Sequence, residues 1–221
     1  MRTGIIIGLL GFSTAFGLIV FSANNGFSKS AANKSGRIDR HAPVQLSPQL
    51  NSQFRDAISV ADASFLASSN LGPPGTASLL KVPAVMRHGD FVWNEQGVPK
   101  GQIKIWVDLR RQMISAFRNG HEIGTAVIVY GAEDRTSPEG RFPILNKQRH
   151  YHSRTYDAPM PASLFITNDG VALHGSPMSS RRASHGCIGL PVEFAEKLFD
   201  ASAVGDIVEI TSSQKGARQP H

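Results

Sequence analysis

The chain has 221 residues, 41% of them apolar and 18% charged, which excludes full-length disorder, collagen and coiled coil and fits one domain plus extras. A single cysteine excludes an intramolecular disulfide framework and any zinc site built on several thiolates. The formal charge of +6 is a mild basic excess that invites the question of an anionic partner.

The N-terminus is Met1-Arg2-Thr3, followed by an uncharged apolar stretch from Gly4 to Ala23. A charged start and an apolar run of this length predict a signal peptide or a signal anchor over residues 1–23. Either reading places the rest of the chain outside the cytoplasm, periplasmic or facing the cell wall, with membrane contact only through an uncleaved N-terminal segment. Lys29, Lys34, Arg37 and Arg40 weaken the charge asymmetry expected of an anchor. No basic helix, aromatic-interleaved sheet motif or finger spacing is present, so no nucleic-acid partner is expected. Residues 24–99 read as a linker, and its first part, 24–49, is rich in Ser, Asn, Ala and Lys. Within it Leu50, Phe54, Ile58 and Phe65 recur at helical spacing, which predicts a short helix at about 49–67. Gly72-Pro73-Pro74-Gly75 then breaks the chain.

A compact β-rich domain is expected over residues 100–211. Ile103, Ile105, Val107 and Leu109 alternate with Lys104, Trp106 and Asp108, the period of a half-buried strand. A second strand follows at Met113 to Arg118. Asn119-Gly120 is a hairpin dipeptide, because both residues tolerate positive φ. The β-branched run Thr125 to Tyr130 predicts a central strand. Leu164 to Thr167 and Val171 to Leu173 flank the turn Asn168-Asp169-Gly170. Pro191 suits the first turn of a helix whose apolar face is Phe194, Ala195, Leu198 and Phe199, and Ile207 to Ile210 forms a last strand. The fold class is mostly β, a sandwich or open barrel with one or two short helices, and residues 212–221 are a polar tail.

The chemistry concentrates in residues 174–191. The only cysteine, Cys187, stands two residues after His185 and thirteen after His174, with Gly175, Gly186 and a Ser/Arg-rich loop between. A lone cysteine is commonly a small buried hydrophobe. An exported protein, however, passes into a compartment where an idle thiol is a liability. A thiol nucleophile needs a histidine to take its proton and return it to a leaving amine. Glycine lets backbone N–H groups approach an oxyanion. Arg181 and Arg182 suit a substrate carboxylate, although they equally suit a solvated loop. His150 and His152 have the i, i+2 spacing of metal ligands without a third partner, so no metal or other cofactor is expected. His88-Gly89 reads as a loop.

His174-Gly175, then Ser184-His185-Gly186-Cys187, resembles the signature of the L,D-transpeptidase catalytic domain, the YkuD-like family. Val107-Asp108-Leu109, Phe117 to Gly120, Thr136 to Phe142, Met160 to Phe165 and Gly170 to Gly175 resemble its other conserved stretches, so the likeness spans about 100–211. The resemblance implies attack by Cys187 on the L-centre carbonyl of diaminopimelate in a peptidoglycan stem tetrapeptide. D-Alanine leaves, and a thioester passes to an amine acceptor: diaminopimelate, a D-amino acid or a lipoprotein lysine. It implies His174 as proton donor and acceptor, oriented by the carbonyl of Gly175, and an oxyanion hole from the N–H groups of His185, Gly186 and Cys187. The His185 side chain is a second candidate base. Ser184 belongs to the motif, and the position of Tyr156 and Met160 resembles the family's substrate-facing loop, although both equally suit core packing. One departure is Gly189, where the family usually has Arg or Asn. A peptidase that uses water, and a wall-binding module without turnover, are the alternatives.

Overall fold

The computed structural model describes residues 52–131, 136–155, 157–178 and 186–212. The expected signal segment 1–23, the tail beyond 212, and Tyr156, Arg181, Arg182, Ser184 and His185 lie outside the described residues. No described helix is long and apolar enough to cross a membrane.

The chain runs β1 (Arg55–Ala57), α1 (Val60–Ser68), β2 (Ser78–Leu80), β3 (Phe91–Trp93), β4 (Ile103–Asp108), β5 (Met113–Arg118) and β6 (His121–Val127). It continues β7 (Gly140–Pro143), β8 (Asn146–Ser153), β9 (Ala158–Phe165), β10 (Ala172–Gly175), β11 (Ile188–Leu190), α2 (Val192–Ala201) and β12 (Ile207–Thr211). One sheet has the order β1-β2-β6-β5-β4-β12-β7, with β3 also on β6; the other has the order β11-β10-β9-β8. The fold is mostly β, as expected.

The alternation of β4 does what its period predicts: Ile103, Ile105 and Val107 face a core shared with Ile114, Ile123, Leu164, Leu173, Ile188 and Phe194. On the other face Lys104 and Asp108 are half-buried as expected, and the expectation fails only at Trp106. Trp106 is buried as well, and with Leu66, Leu71, Leu79, Leu80 and Phe117 it lines a cavity of about 220 Å³. Residues 55–93 thus contribute to the fold, and the linker expected over 24–99 is corrected in its described part. β1 pairs with β2, β2 joins β6 in parallel, and β3 pairs with β6 along Phe91 to Trp93.

Two side-chain arrangements explain this recruitment. The buried guanidinium of Arg55 donates to the carbonyls of Glu122 at 2.9 Å and Asn94 at 2.8 Å. Those bonds hold residues 55–57 extended where the sequence periodicity suggests helix. Phe91 and Trp93 set their ring edges against Phe194 of α2, with centroids 6.0 and 5.4 Å apart, which fixes β3. The helix itself is confined to 60–68, where the Ser59 hydroxyl caps it by accepting from the Asp62 N–H. Its expected apolar face is not buried: Phe65 is exposed.

Asn119 and Gly120 both have positive φ and turn β5 into β6. The run Thr125 to Tyr130 is strand only to Val127; beyond it Val129 makes a single bridge to Gly189 in the other sheet. α2 buries Phe194, Ala195 and Leu198, with Pro191 at its N-cap position. The long hairpin of β8 and β9 has no counterpart in the sequence reading, because the polar strand Asn146–Ser153 carries no apolar alternation.

Candidate active site

The site forms where β10 and β11 run in parallel, with Leu173 beside Ile188, His174 beside Gly189 and Gly175 beside Leu190. Residues two apart on a strand share a face. Cys187 stands one step before Ile188, opposite Ala172, so the pleat puts the thiol and His174 on one face of the sheet. Two contacts agree. The Cys187 thiol donates to the Gly170 carbonyl, with Sγ 3.8 Å from the oxygen, and the backbone N–H of Ala172 donates to the Cys187 sulfur.

His174 is buried, and its Nδ1–H donates to the Gly175 carbonyl at 2.9 Å. That bond fixes the tautomer and leaves Nε2 with a free lone pair, the atom a general base needs. Burial lowers the imidazole's affinity for a proton, and the bond to Gly175 opposes this only in part. The ring is therefore held neutral at pH 7. Burial also pushes the Cys187 thiol up; the Ala172 contact pulls it down and the Asp169 carboxylate adds to the rise. The resting pair is thiol and imidazole, not thiolate and imidazolium.

Two glycines shape the surroundings. Gly186 has φ of +96°, a conformation that a side chain would strain, and it turns the backbone into the cysteine. Gly189 packs backbone to backbone against Val129: its carbonyl accepts from Val129 N–H at 2.9 Å and its N–H donates to Val129 O at 2.7 Å. A Cβ at 189 would lie 2.6 Å from Val129 Cγ2 and 2.9 Å from Ser176 Cβ. The position where the resembled family usually carries Arg or Asn has no room for either.

Of the remaining sequence candidates, Met160 is buried in β9 opposite Tyr151, outside the main core cluster. His152 Nε2 meets Asp157 Oδ1 at 2.9 Å at the tip of the β8–β9 hairpin, and among the described residues no three potential ligands gather around a metal position. Sequence reasoning missed the buried set of Arg55, Ser78, His121 and Glu122. Glu122 Oε2 accepts from Leu80 N–H at 2.8 Å, and the Ser78 hydroxyl meets His121 Nδ1 at 2.9 Å. The adjacent pair His121-Glu122 within a strand, otherwise lined by apolar residues, was the available signal.

Comparison with known proteins points the same way. A family model described as YkuD, L,D-transpeptidase catalytic domain, matches residues 102–210. L,D-transpeptidase 1 from two strains of Mycobacterium tuberculosis is 33% identical over 110 residues, covering 42% of this chain and 44% of the relative. The chain thus spans less than half the length of the curated relatives it matches. Solved structures that resemble it include the L,D-transpeptidase LdtMt1 in complex with imipenem, 28% identical over 49% of this chain and 58% of that one, with a TM-score of 0.46. Mycobacterium tuberculosis L,D-transpeptidase 1 is 26% identical over 50% and 61%, with a TM-score of 0.43. The sequence match spans β4 to β12, the strands that carry His174 and lead into and out of Cys187. Residues 102–210 of the chain thus match the YkuD model of the L,D-transpeptidase catalytic domain.

Proposed function

We propose that the chain is a cysteine-dependent L,D-transpeptidase acting outside the cytoplasm on peptidoglycan stem tetrapeptides. The observation that carries this is the Nδ1–H bond from His174 to Gly175, which leaves Nε2 as a base on the sheet face that Cys187 shares. In the first half-reaction the thiol of Cys187 attacks the carbonyl on the L-centre of diaminopimelate while His174 Nε2 takes its proton. The backbone N–H groups of His185, Gly186 and Cys187 receive the oxyanion. The C–N bond breaks, the imidazolium returns its proton to the departing amine, and D-alanine leaves a thioester behind. In the second half an amine acceptor forms a new amide and restores the thiol. The acceptor is a second diaminopimelate, a D-amino acid or a lipoprotein lysine. Because His174 is neutral and the thiol protonated at rest, deprotonation accompanies attack instead of preceding it.

The test is a digest of tetrapeptide muropeptides with purified protein, read by mass spectrometry. The expected products are 3→3 cross-linked dimers and free D-alanine, with none from Cys187→Ala. Tripeptide alone would assign the chain to peptidases that use water. A Cys187→Ala protein of full activity would falsify the thiol mechanism.

A further inference from the structure

Asp169 is exposed in the turn between β9 and β10, and its position there is fixed. The Thr167 hydroxyl donates to Asp169 Oδ1, while the Val171 N–H donates to Thr167 Oγ1 at 3.0 Å. The carbonyl of the next residue, Gly170, is the one that takes the Cys187 thiol at 3.8 Å. A carboxylate and the nucleophile's own acceptor thus stand on consecutive residues. Among the described residues no Lys, Arg or His pairs with Asp169.

This carboxylate works against the first half-reaction, since a negative charge beside the thiol disfavours any gain of charge on sulfur. The second half-reaction differs. Its substrate is an aliphatic amine, which meets the enzyme mostly as an ammonium ion, since such amines have pKa values near ~10. A carboxylate held one residue before the thiol's acceptor, with no ion-pair partner among the described residues, attracts that ion and repels anionic groups.

We propose that Asp169 is an acceptor-binding residue: its carboxylate holds the ammonium group of the incoming amine beside the thioester on Cys187. The inference rests on the transpeptidase reading above. The ammonium gives one proton to water and becomes the nucleophile. Its nitrogen attacks the thioester carbonyl, the C–N bond forms and the C–S bond breaks. The second proton passes through His174 Nε2 to the leaving sulfur, so thiol and neutral imidazole are both restored.

The experiment uses the full chain and its Asp169→Asn and Asp169→Glu variants. Asparagine keeps an oxygen for the Thr167 hydroxyl and removes only the charge. Acylation is followed by whole-protein mass with a carbapenem, a β-lactam class that acylates cysteines of this family. Transfer is followed with a tetrapeptide donor and D-methionine as the amine. For Asp169→Asn the expected result is acylation as fast as wild type or faster. The KM for D-methionine should rise roughly three- to fivefold, as for loss of an exposed ion pair, with hydrolysis gaining at the expense of transfer. Asp169→Glu should restore most of the transfer. Parallel loss of acylation and transfer in Asp169→Asn would make Asp169 a turn residue only. An unchanged KM and product ratio would equally overturn the proposal. A wild-type chain that is never acylated would instead remove the transpeptidase reading beneath it.

Discussion

Replacing Gly189 with alanine tests the geometry of the site directly. The added Cβ would sit 2.6 Å from Val129 Cγ2 and 2.9 Å from Ser176 Cβ, against the 3.4 Å at which ordinary contact begins. Neither neighbour yields easily. Val129 is β-branched with a single stiff torsion, and its backbone is tied to Gly189 by two hydrogen bonds; the Ser176 atom is a Cβ and moves only with its backbone. Overpacking of this kind costs about 1–3 kcal/mol. For a folded domain of this size that lowers Tm by roughly 2–4 °C per kcal/mol. The strain falls on β11, two residues beyond the proposed nucleophile Cys187, and displacing reacting atoms by about 1 Å can cost on the order of a hundredfold in rate. Calorimetry and carbapenem acylation therefore give two readouts, and both should fall. Adding Val129→Ala removes the shorter clash and leaves the one with Ser176, so the double variant should recover part of each loss. A Gly189→Ala protein with wild-type Tm and acylation rate would refute the close packing and reopen the position to the Arg or Asn of the resembled family.

Three further outcomes follow from the same structure. His174→Ala should lose most acylation with Tm retained, while His185→Ala keeps a measurable rate; the reverse pattern would exchange their roles. The acylation rate should level off above a pH set by His174, below 6.5 because burial lowers its pKa, and stay flat through neutrality. The sign is that of a base, active when unprotonated, so rate is lost as pH falls through the depressed pKa; a rate still climbing near pH 9 would mean that a preformed thiolate is required. Arg55→Ala should lower Tm by about 2–12 °C, since two buried carbonyls lose a charged donor at about 1–3 kcal/mol in total after partial compensation by water; an unchanged Tm would show that β1 is not held by this side chain.

What the sequence made legible follows its strongest local signals. Met113 to Arg118 is a strand with those bounds, Asn119-Gly120 turns with two positive φ angles, and the face of Phe194, Ala195 and Leu198 is buried as the helical spacing demands. These features depend on residues close in sequence. Residues 55–93 were illegible because their place is set by partners far along the chain: Glu122 for Arg55, Phe194 for Phe91 and Trp93. Trp106 was misread for the same reason, since the segment that covers it is one that composition alone describes as linker. The site divides in the same way. The motif residues His174, Gly175 and Cys187 could be named from spacing and resemblance. The reason for Gly189 could not, because it lies in Val129, sixty residues earlier and just beyond the end of β6.

The protonation of the pair was equally beyond the sequence, and it bears on how the reaction is controlled. A cysteine beside a histidine invites the reading of an ion pair, with the thiolate formed in advance. Here both shifts oppose it: burial lowers His174 and raises Cys187, and the thiol spends its proton on the Gly170 carbonyl. A neutral thiol reacts slowly with adventitious electrophiles and oxidants, which suits the proposed role of Cys187 as a nucleophile outside the reducing cytoplasm. Under the proposed mechanism, activation comes from the substrate: the developing oxyanion, received by backbone N–H groups, makes proton transfer to His174 favourable only when a carbonyl is in place. On this account an unreactive thiol and an effective nucleophile are the same group in two environments. The measurement that separates it from the ion-pair account is the rate of Cys187 alkylation by iodoacetamide at pH 7, which should match that of an unactivated thiol in the free enzyme. Alkylation many times faster would mean that the thiolate is already formed before any substrate arrives.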